Sequence, residues 1–381
     1  MTSPARQLAP DVARGLALAF IAIANVMPYL HGRPYGLRQH LIEDGPLDRA
    51  VSFVTVAAID CRIYPLFSLL LGYGIARMAA RGERHQTERR IRWRGLGLLL
   101  FGAVHGILLF SGDILGFYGL VTILLLPALH WPTRRLLGWA AALVVPFSAV
   151  QGFAFSDVGP TLQRSLFWSM GISDPVEALF WRIPEWAMGM LGMLGVVPAV
   201  LVGFWAGRRN LLAAPQDHRR LLASVGIVGA LVGLLGGLPA ALVVAGVVSI
   251  DSGIVAVVFS VAHVATGIFG GIGYAALIGL ACGVPAFAAS RFADVMTAVG
   301  QRSLTCYLLQ SVLMVPLLPA WTLALGGVLG TAQAALFAIA VYLVTVAIAL
   351  LLRSWGDRRP AETLLRRFAQ LSDRRPEPLR A

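Results

Sequence analysis

A histidine set in an apolar run is the first residue of this chain that could do chemistry. His105 lies in Gly102-Ala-Val-His105-Gly106. An imidazole kept from water stays neutral, with one ring nitrogen able to accept a proton, which suits a general base. The same residue serves equally as a core histidine bonded to a neighbouring helix. Asp113 follows in Ser111-Gly112-Asp113, where Gly-Asp ahead of a helix also reads as an N-cap. The two are eight positions apart, about 12 Å along a continuous helix, so they need not touch.

Other polar residues sit in apolar company, where each needs a partner or a task. Arg14 and Asn25 are eleven residues apart in the first apolar run, so Asn25 lies about 16 Å deeper than Arg14. Arg14 either snorkels or holds an anion at the mouth, and Asn25 either bonds across helices or meets a substrate. Asp60-Cys-Arg62 precedes Tyr64-Pro-Leu-Phe-Ser68-Leu-Leu-Leu-Gly72-Tyr-Gly74, with Arg62 and Ser68 as candidate contacts. Further on, Ser303, Tyr307 and Gln310 recur at helical spacing and make a polar stripe that must face other helices. That stripe either lines a cavity or joins helices. The glycines at 267, 270, 271 and 273 do not make a nucleotide loop, because no strand precedes them.

Composition says which elements must position these residues. Hydrophobic residues make up 57% of 381 and charged residues 13%, against roughly 25% charged in soluble domains. Apolar runs of membrane-spanning length recur at 12–30, 62–80, 95–110, 114–130, 136–153, 187–207, 221–248, 254–285, 303–325 and 328–352. They do not alternate apolar and polar, so a closed barrel is excluded and helices remain. The reading is an all-α polytopic membrane bundle of about ten spans and one domain, with an arginine-rich tail over 353–381. Residues 46–61 add an interfacial or re-entrant helix, and the glycine-rich 254–285 run is expected to be bent or broken.

The net charge is +12, and every basic residue is Arg. Arginines cluster at 81–94, 134–135, 208–220, 291–302 and 353–367, which fall on one side if ten spans are counted. The positive-inside rule then puts both termini in the cytoplasm of a bacterial cytoplasmic membrane. The 81–94 cluster could also hold the phosphates of a cofactor or of anionic lipid. With no aromatic-basic module, nucleic acid is not an expected partner. Cys61, Cys282 and Cys306 lack metal-ligand spacing, so no metal is expected. The 154–186 connection, carrying Trp168, Trp181 and Trp186, reads as an interfacial belt or as a cap over an outer cavity.

Five stretches in order carry a family resemblance. They are Asp11-Val-Ala-Arg14-Gly15 through Asn25, Tyr64 to Gly74, His105 to Asp113 with Tyr118, Gly203-Phe-Trp-Ala-Gly207-Arg208, and Ser303 to Ser311. With the tail Arg359-Pro-Ala-Glu362, they resemble the YeiB-like bacterial membrane proteins, domain of unknown function 418, over essentially the whole chain. That family is distantly similar to transmembrane acyltransferases, which move an acyl group from cytoplasmic acyl-coenzyme A to an acceptor. One branch of those enzymes has a catalytic His eleven residues after the first-span Arg. Here that position is Asn25, so the resemblance leaves His105 as base or acyl carrier. It implies Arg14 and the inner arginines on the phosphates of acyl-CoA. Asn25, Asp113, Tyr307 and Gln310 would position a small, lipid-linked or glycan acceptor. A transporter or flippase of a small or lipid-linked molecule is the rival reading.

Overall fold

The computed structural model describes residues 8–156 and 160–371, so the last ten residues of the predicted tail lie outside it. Among the described residues the chain is helical, with only two isolated β-bridges, Tyr35–Leu41 and Tyr35–Thr161. The first helix, α1 (Leu8–Val26), is an Ala, Leu and Ile run that gives way at Pro28 to a 3-10 turn. Pro28 cannot donate to an α-helical ladder. Residues 30–41 then fold inward, burying Tyr35, Leu37, Arg38, Gln39 and His40.

Residues 46–59 of the stretch 46–61 are helical and are followed at once by a second helix, the two together making one apolar stretch, Pro46–Ala79. Helix α2 (Pro46–Val54) widens into a π turn at Thr55–Ile59 and breaks at Asp60–Cys61, where Cys61 takes a left-handed φ of 58°. Helix α3 (Ile63–Ala79) starts immediately after. A helix broken in apolar surroundings leaves carbonyls without donors. Arg62, fully buried, supplies two of them, its Nη1 donating to Val56 O at 3.2 Å and to Asp60 O at 2.5 Å, while its Nη2 reaches Gly233 O, 171 residues on, at 2.6 Å.

Helix α4 (Arg84–Leu108) carries the main arginine cluster at its start and His105 in its last turn. After a tight turn, α5 (Leu115–Leu124) runs back beside it until Pro127 forces a 3-10 turn. Next come α6 (Thr133–Ala154), α7 (Pro175–Gly192) and α8 (Val197–Arg208). Asp174 caps α7 by accepting from Glu177 N at 2.7 Å, ahead of Pro175 at the first helical position. Helices α9 (Arg219–Val244) and α10 (Gly253–Cys282) form a closely packed pair. Two short helices, α11 (Pro285–Ala288) and α12 (Arg291–Gly300), lead to α13 (Ser303–Met314). The chain ends with α14 (Thr331–Ser354) and α15 (Pro360–Gln370).

Eight helical stretches among the described residues are long and apolar enough to cross a membrane, and α5 and α13 are shorter apolar helices of 10 and 12 residues. The predicted spans 114–130 and 303–325 are shortened by Pro127, Pro316 and Pro319. Leu100, Val145, Phe153, Leu235, Ile254 and Leu343 are exposed on the outer faces of these helices. Such an apolar exterior marks a multi-pass membrane protein.

One expectation is corrected. The 254–285 run is not broken; α10 is continuous for 30 residues from Gly253 to Cys282. Its glycines let neighbours come close, for a Cβ on Gly270 would stand 2.9 Å from Arg62 Cγ. The broken helix is α2–α3.

Candidate functional site

His105 and Asp113 do meet. Helix α4 stops at Leu108, and the turn over 109–114 folds Asp113 back onto the last helical turn. His105 Nδ1 lies 2.8 Å from Asp113 Oδ1, and Asp113 Oδ2 accepts from Gly116 N at 2.7 Å. Gly102 permits the approach, since a Cβ there would collide with Gly116 N. On the other side of the ring, His105 Nε2 lies 2.8 Å from Ser311 Oγ on α13. A carboxylate only accepts, so Nδ1 carries the hydrogen and Nε2 accepts from the serine. All three residues are buried. Ser–His–Asp in this order is the arrangement that activates a hydroxyl as a nucleophile, whatever the fold.

Two cavities approach this line: Asp113 lines one of them, Tyr307 beside His105 lines the other, and His105 and Ser311 themselves line neither. The inner one, about 740 Å³, is bounded by α1, α3, α4, α5, α13 and α15. Seven arginines line it, Arg14, Arg77, Arg81, Arg90, Arg94, Arg359 and Arg366, against the carboxylates of Asp11 and Glu362. Arg14 Nη1 donates to Asp11 at 3.2 Å. Glu362 is occupied by the start of α13, accepting from Leu304 N at 2.8 Å, Thr305 N at 3.0 Å and Thr305 Oγ1 at 2.7 Å. The excess positive charge fits a ligand with several phosphates. The cavity also reaches Ile114, Tyr118 and Tyr307. Tyr307 accepts from Ile114 N at 3.3 Å, and its ring lies 5.1 Å from that of His105. From Arg94 to His105 is eleven residues of α4, about 17 Å.

The outer cavity is smaller, about 110 Å³, and Asp113 is on its wall with Asn25, Arg38, His40, Asp60, Tyr64 and Arg164. Phe155, Leu166 and Phe167 also line it, so the 154–186 connection does cap an outer cavity. Arg38 donates to Asp60 Oδ2 at 3.1 Å and to Cys61 Sγ at 2.9 Å. Burial works against the Arg38 charge, but Cys61 and Asp60 outweigh it and hold its pKa above the usual value. Burial is also the main reason that His40 falls to about 4, with Asp60 opposing and Arg38 and Arg164 adding to the drop. Arg164 drops to about 10, again chiefly by burial. His40 is therefore neutral near pH 7, while both guanidiniums stay charged.

The remaining expected residues divide. Arg14 and Tyr307 line the inner cavity, and Asn25 lines the outer one while accepting from Tyr64 OH at 2.8 Å. Arg62 lies behind the outer wall, its Nη1 committed to the broken helix and its Nη2 to Gly233 O on α9. Ser68 donates to Tyr118 OH at 3.1 Å and positions that ring. Gln310 Nε2 donates to Leu18 O on α1 at 3.0 Å, so the stripe splits: Ser303 and Tyr307 face the cavity, and Gln310 joins helices.

Sequence reasoning missed Ser311, although it stands four residues beyond Tyr307 on the same face of α13. It also missed Arg38 and Arg164, which lie in separate loops that no local pattern connects. Asp60, Cys61 and His263 bring ligand atoms within 4.8 Å of one another, which their spacing did not reveal. Arg38 and Arg62 reach into the same cluster and would repel a cation there.

Residues 206–372 match the profile of a family described as "Protein of unknown function (DUF418)". That region holds α9 to α15, and with them Ser311, Tyr307, His263 and Glu362. A stretch of 146 residues is 31% identical to "Uncharacterized protein YxaH" of Bacillus subtilis (strain 168). It covers 36% of this chain and 36% of that relative, so the match spans about a third of either. The DUF418 match is to the family that the sequence motifs resemble, and His105 and Asp113 fall outside the matched residues.

Proposed function

We propose that this protein moves an acyl group from an acyl thioester of the coenzyme A type, held in the inner cavity, to a hydroxyl acceptor in the outer cavity. The observation that carries the reading is the buried Ser311–His105–Asp113 line, with Asp113 on the wall of the outer cavity and Tyr307, beside His105, on the wall of the inner one. The arginine-lined end supports a bacterial cytoplasmic membrane with both termini inside, where such thioesters are made. The inner arginines would bind the donor's phosphates, and its arm would extend about 17 Å toward Tyr307.

Chemistry follows in two halves. His105 Nε2 takes the Ser311 proton as Oγ attacks the thioester carbonyl. The C–S bond breaks, the proton passes to the leaving sulfur, and an acyl ester is left on Ser311. Asp113 fixes the ring and stabilises the transient imidazolium. In the second half His105 takes the proton of the acceptor hydroxyl, which attacks the ester. That proton then returns to Ser311 Oγ. Tyr307 is the inner cavity's side chain beside His105, and its ring must swing for the acyl group to reach Ser311.

The test uses purified protein in lipid nanodiscs with labelled acetyl-CoA, following label into protein and then into a bacterial membrane extract. Label should appear on the wild type and vanish in His105→Ala and Ser311→Ala. Transfer that survives His105→Ala would refute the mechanism. Two cavities that both approach one buried polar line also favour a transporter. That reading gains if the protein moves a compound across liposomes unchanged.

A further inference from the structure

The outer cavity has polar chemistry that the transfer itself does not require. Arg38 and Arg164 come from different loops, 126 residues apart in sequence, yet share one wall. Both are more than nine-tenths buried. Arg38 Nη2 and Nε are used by Asp60, but Nη1 is buried with no partner. Arg164 donates Nη1 to Pro28 O at 2.6 Å and Nη2 to Met27 O at 3.0 Å, and its Nε is buried with no partner. Two guanidiniums on one wall, each with a donor unused, call for an acceptor that bonds to both.

Charge points the same way. Among the described residues no carboxylate comes within ion-pair distance of Arg164: its Nη atoms go to two carbonyls, its guanidinium lies 4.2 Å over the ring of Tyr35, whose hydroxyl is a further partner, and Glu185 acts on it only from beyond ion-pair distance. Asp60 is taken by Arg38 at 3.1 Å and by His263 at 3.3 Å, and Asp113 by His105 at 2.8 Å. His40, beside both arginines, contributes no charge at neutral pH. A buried guanidinium without a counter-ion is stabilised by an anion, which it binds with a fixed fork of donors. Size sets the upper limit. The cavity's 110 Å³ amounts to roughly eight water positions, enough for a small head group and no more.

We propose that the outer cavity binds a small hydroxylated anion, its carboxylate or phosphate on Arg38 and Arg164 and its hydroxyl toward Asp113. This names the acceptor class for the transfer proposed above and rests on that reading for the hydroxyl's role. The anionic group itself stands on the cavity alone. Its source is either a soluble metabolite or the head group of an anionic lipid, since both offer the same oxygens.

Calorimetry on the full chain in phosphatidylcholine nanodiscs tests this without any acyl donor. The probes are glycerol 3-phosphate, inorganic phosphate and uncharged glycerol. Glycerol 3-phosphate should bind, glycerol should not, and inorganic phosphate should compete. Arg164→Gln should weaken glycerol 3-phosphate at least tenfold. So should the double change Arg38→Gln with Asp60→Asn, which removes the ion pair as a unit and strands neither charge. Arg164→Lys, keeping charge without the fork, should fall between and guards against a folding defect. The inner change Arg90→Gln with Arg94→Gln should leave this binding within about twofold. Discs doped with phosphatidylglycerol separate the sources: competition assigns the lipid head group, and its absence a soluble anion. Equal affinity in both outer variants, glycerol binding as well as its phosphate, or loss only in the inner variant would overturn the proposal. Anion binding without acyl transfer would instead refute the transfer and leave this site standing.

Discussion

The two cavities use the same residue, arginine, in opposite ways. In the inner cavity the side chains of Arg81 and Arg94 make no hydrogen bond or ion pair among the described residues, although Arg14, Arg77, Arg359 and Arg366 are held by neighbours, and the space is large. In the outer cavity Arg38 and Arg164 are tied to Asp60 and to backbone carbonyls in a space about one seventh as large. Loosely held guanidiniums can follow a flexible polyanion, whereas fixed ones select a small ligand by shape. Under the proposed transfer, the difference predicts a donor side that tolerates variation and an acceptor side that does not.

The comparison breaks first at the buried Ser311–His105–Asp113 line. Replacing His105 by Ala should lower single-turnover acyl transfer by about a thousandfold, the range that general-base removal gives. Binding at either cavity should change little, as read by calorimetry on each ligand. If transfer falls and both ligands are lost as well, that line is structural and the two cavities are not independent.

Acid should separate the regions next. His40 has a folded pKa of about 4 against 6.5 unfolded. Between those values the unfolded chain binds a proton that the folded chain refuses. Its contribution is therefore complete above pH 6.5 and is lost as pH falls toward 4, roughly 3 kcal/mol in all. Thermal unfolding from pH 7 to 4 should show that decline, and His40→Gln should flatten it. Hydrogen exchange should rise first in residues 30–41, while the arginines of the inner cavity do not titrate in this range.

A smaller effect sharpens the inner side. Arg90→Gln with Arg94→Gln should raise the KM for acetyl-CoA about tenfold while kcat is retained, the pattern of lost uniform binding. Wild-type KM should rise with salt more steeply than that of the variant. Smallest is Glu362→Gln at the start of α13. Removing this carboxylate from two backbone N–H groups should cost about 1 kcal/mol, seen as a lower midpoint in thermal unfolding.

What the sequence made legible was whatever repeats locally. Apolar run length gave the membrane helices, and a helical spacing placed Ser303 and Tyr307 on one face. His105 and Asp113 were both visible, but their contact depends on where α4 stops, and eight residues can be a helix or a turn. Ser311 was overlooked because a serine in an apolar helix is an ordinary interhelical donor until its partner is known. Arg38 and Arg164 lay beyond any window, since only the folded outer loops bring them together. The glycines of α10 misled in the opposite direction. They looked like a break, but they accommodate the side chain that repairs a break elsewhere.

That repair has a consequence in time. Arg62 donates to Gly233, 171 residues later, and faces His263, 201 residues later. At roughly 5–20 residues per second of synthesis, about 10–40 s pass before α10 has emerged. Through that interval Arg62, in the newly made α2–α3 pair, can already serve the carbonyls of Val56 and Asp60, while its own distant partners, Gly233 and His263, are still missing. Membrane insertion of the first half must therefore keep this hairpin near water or a chaperoning surface until the glycine-rich pair closes over it.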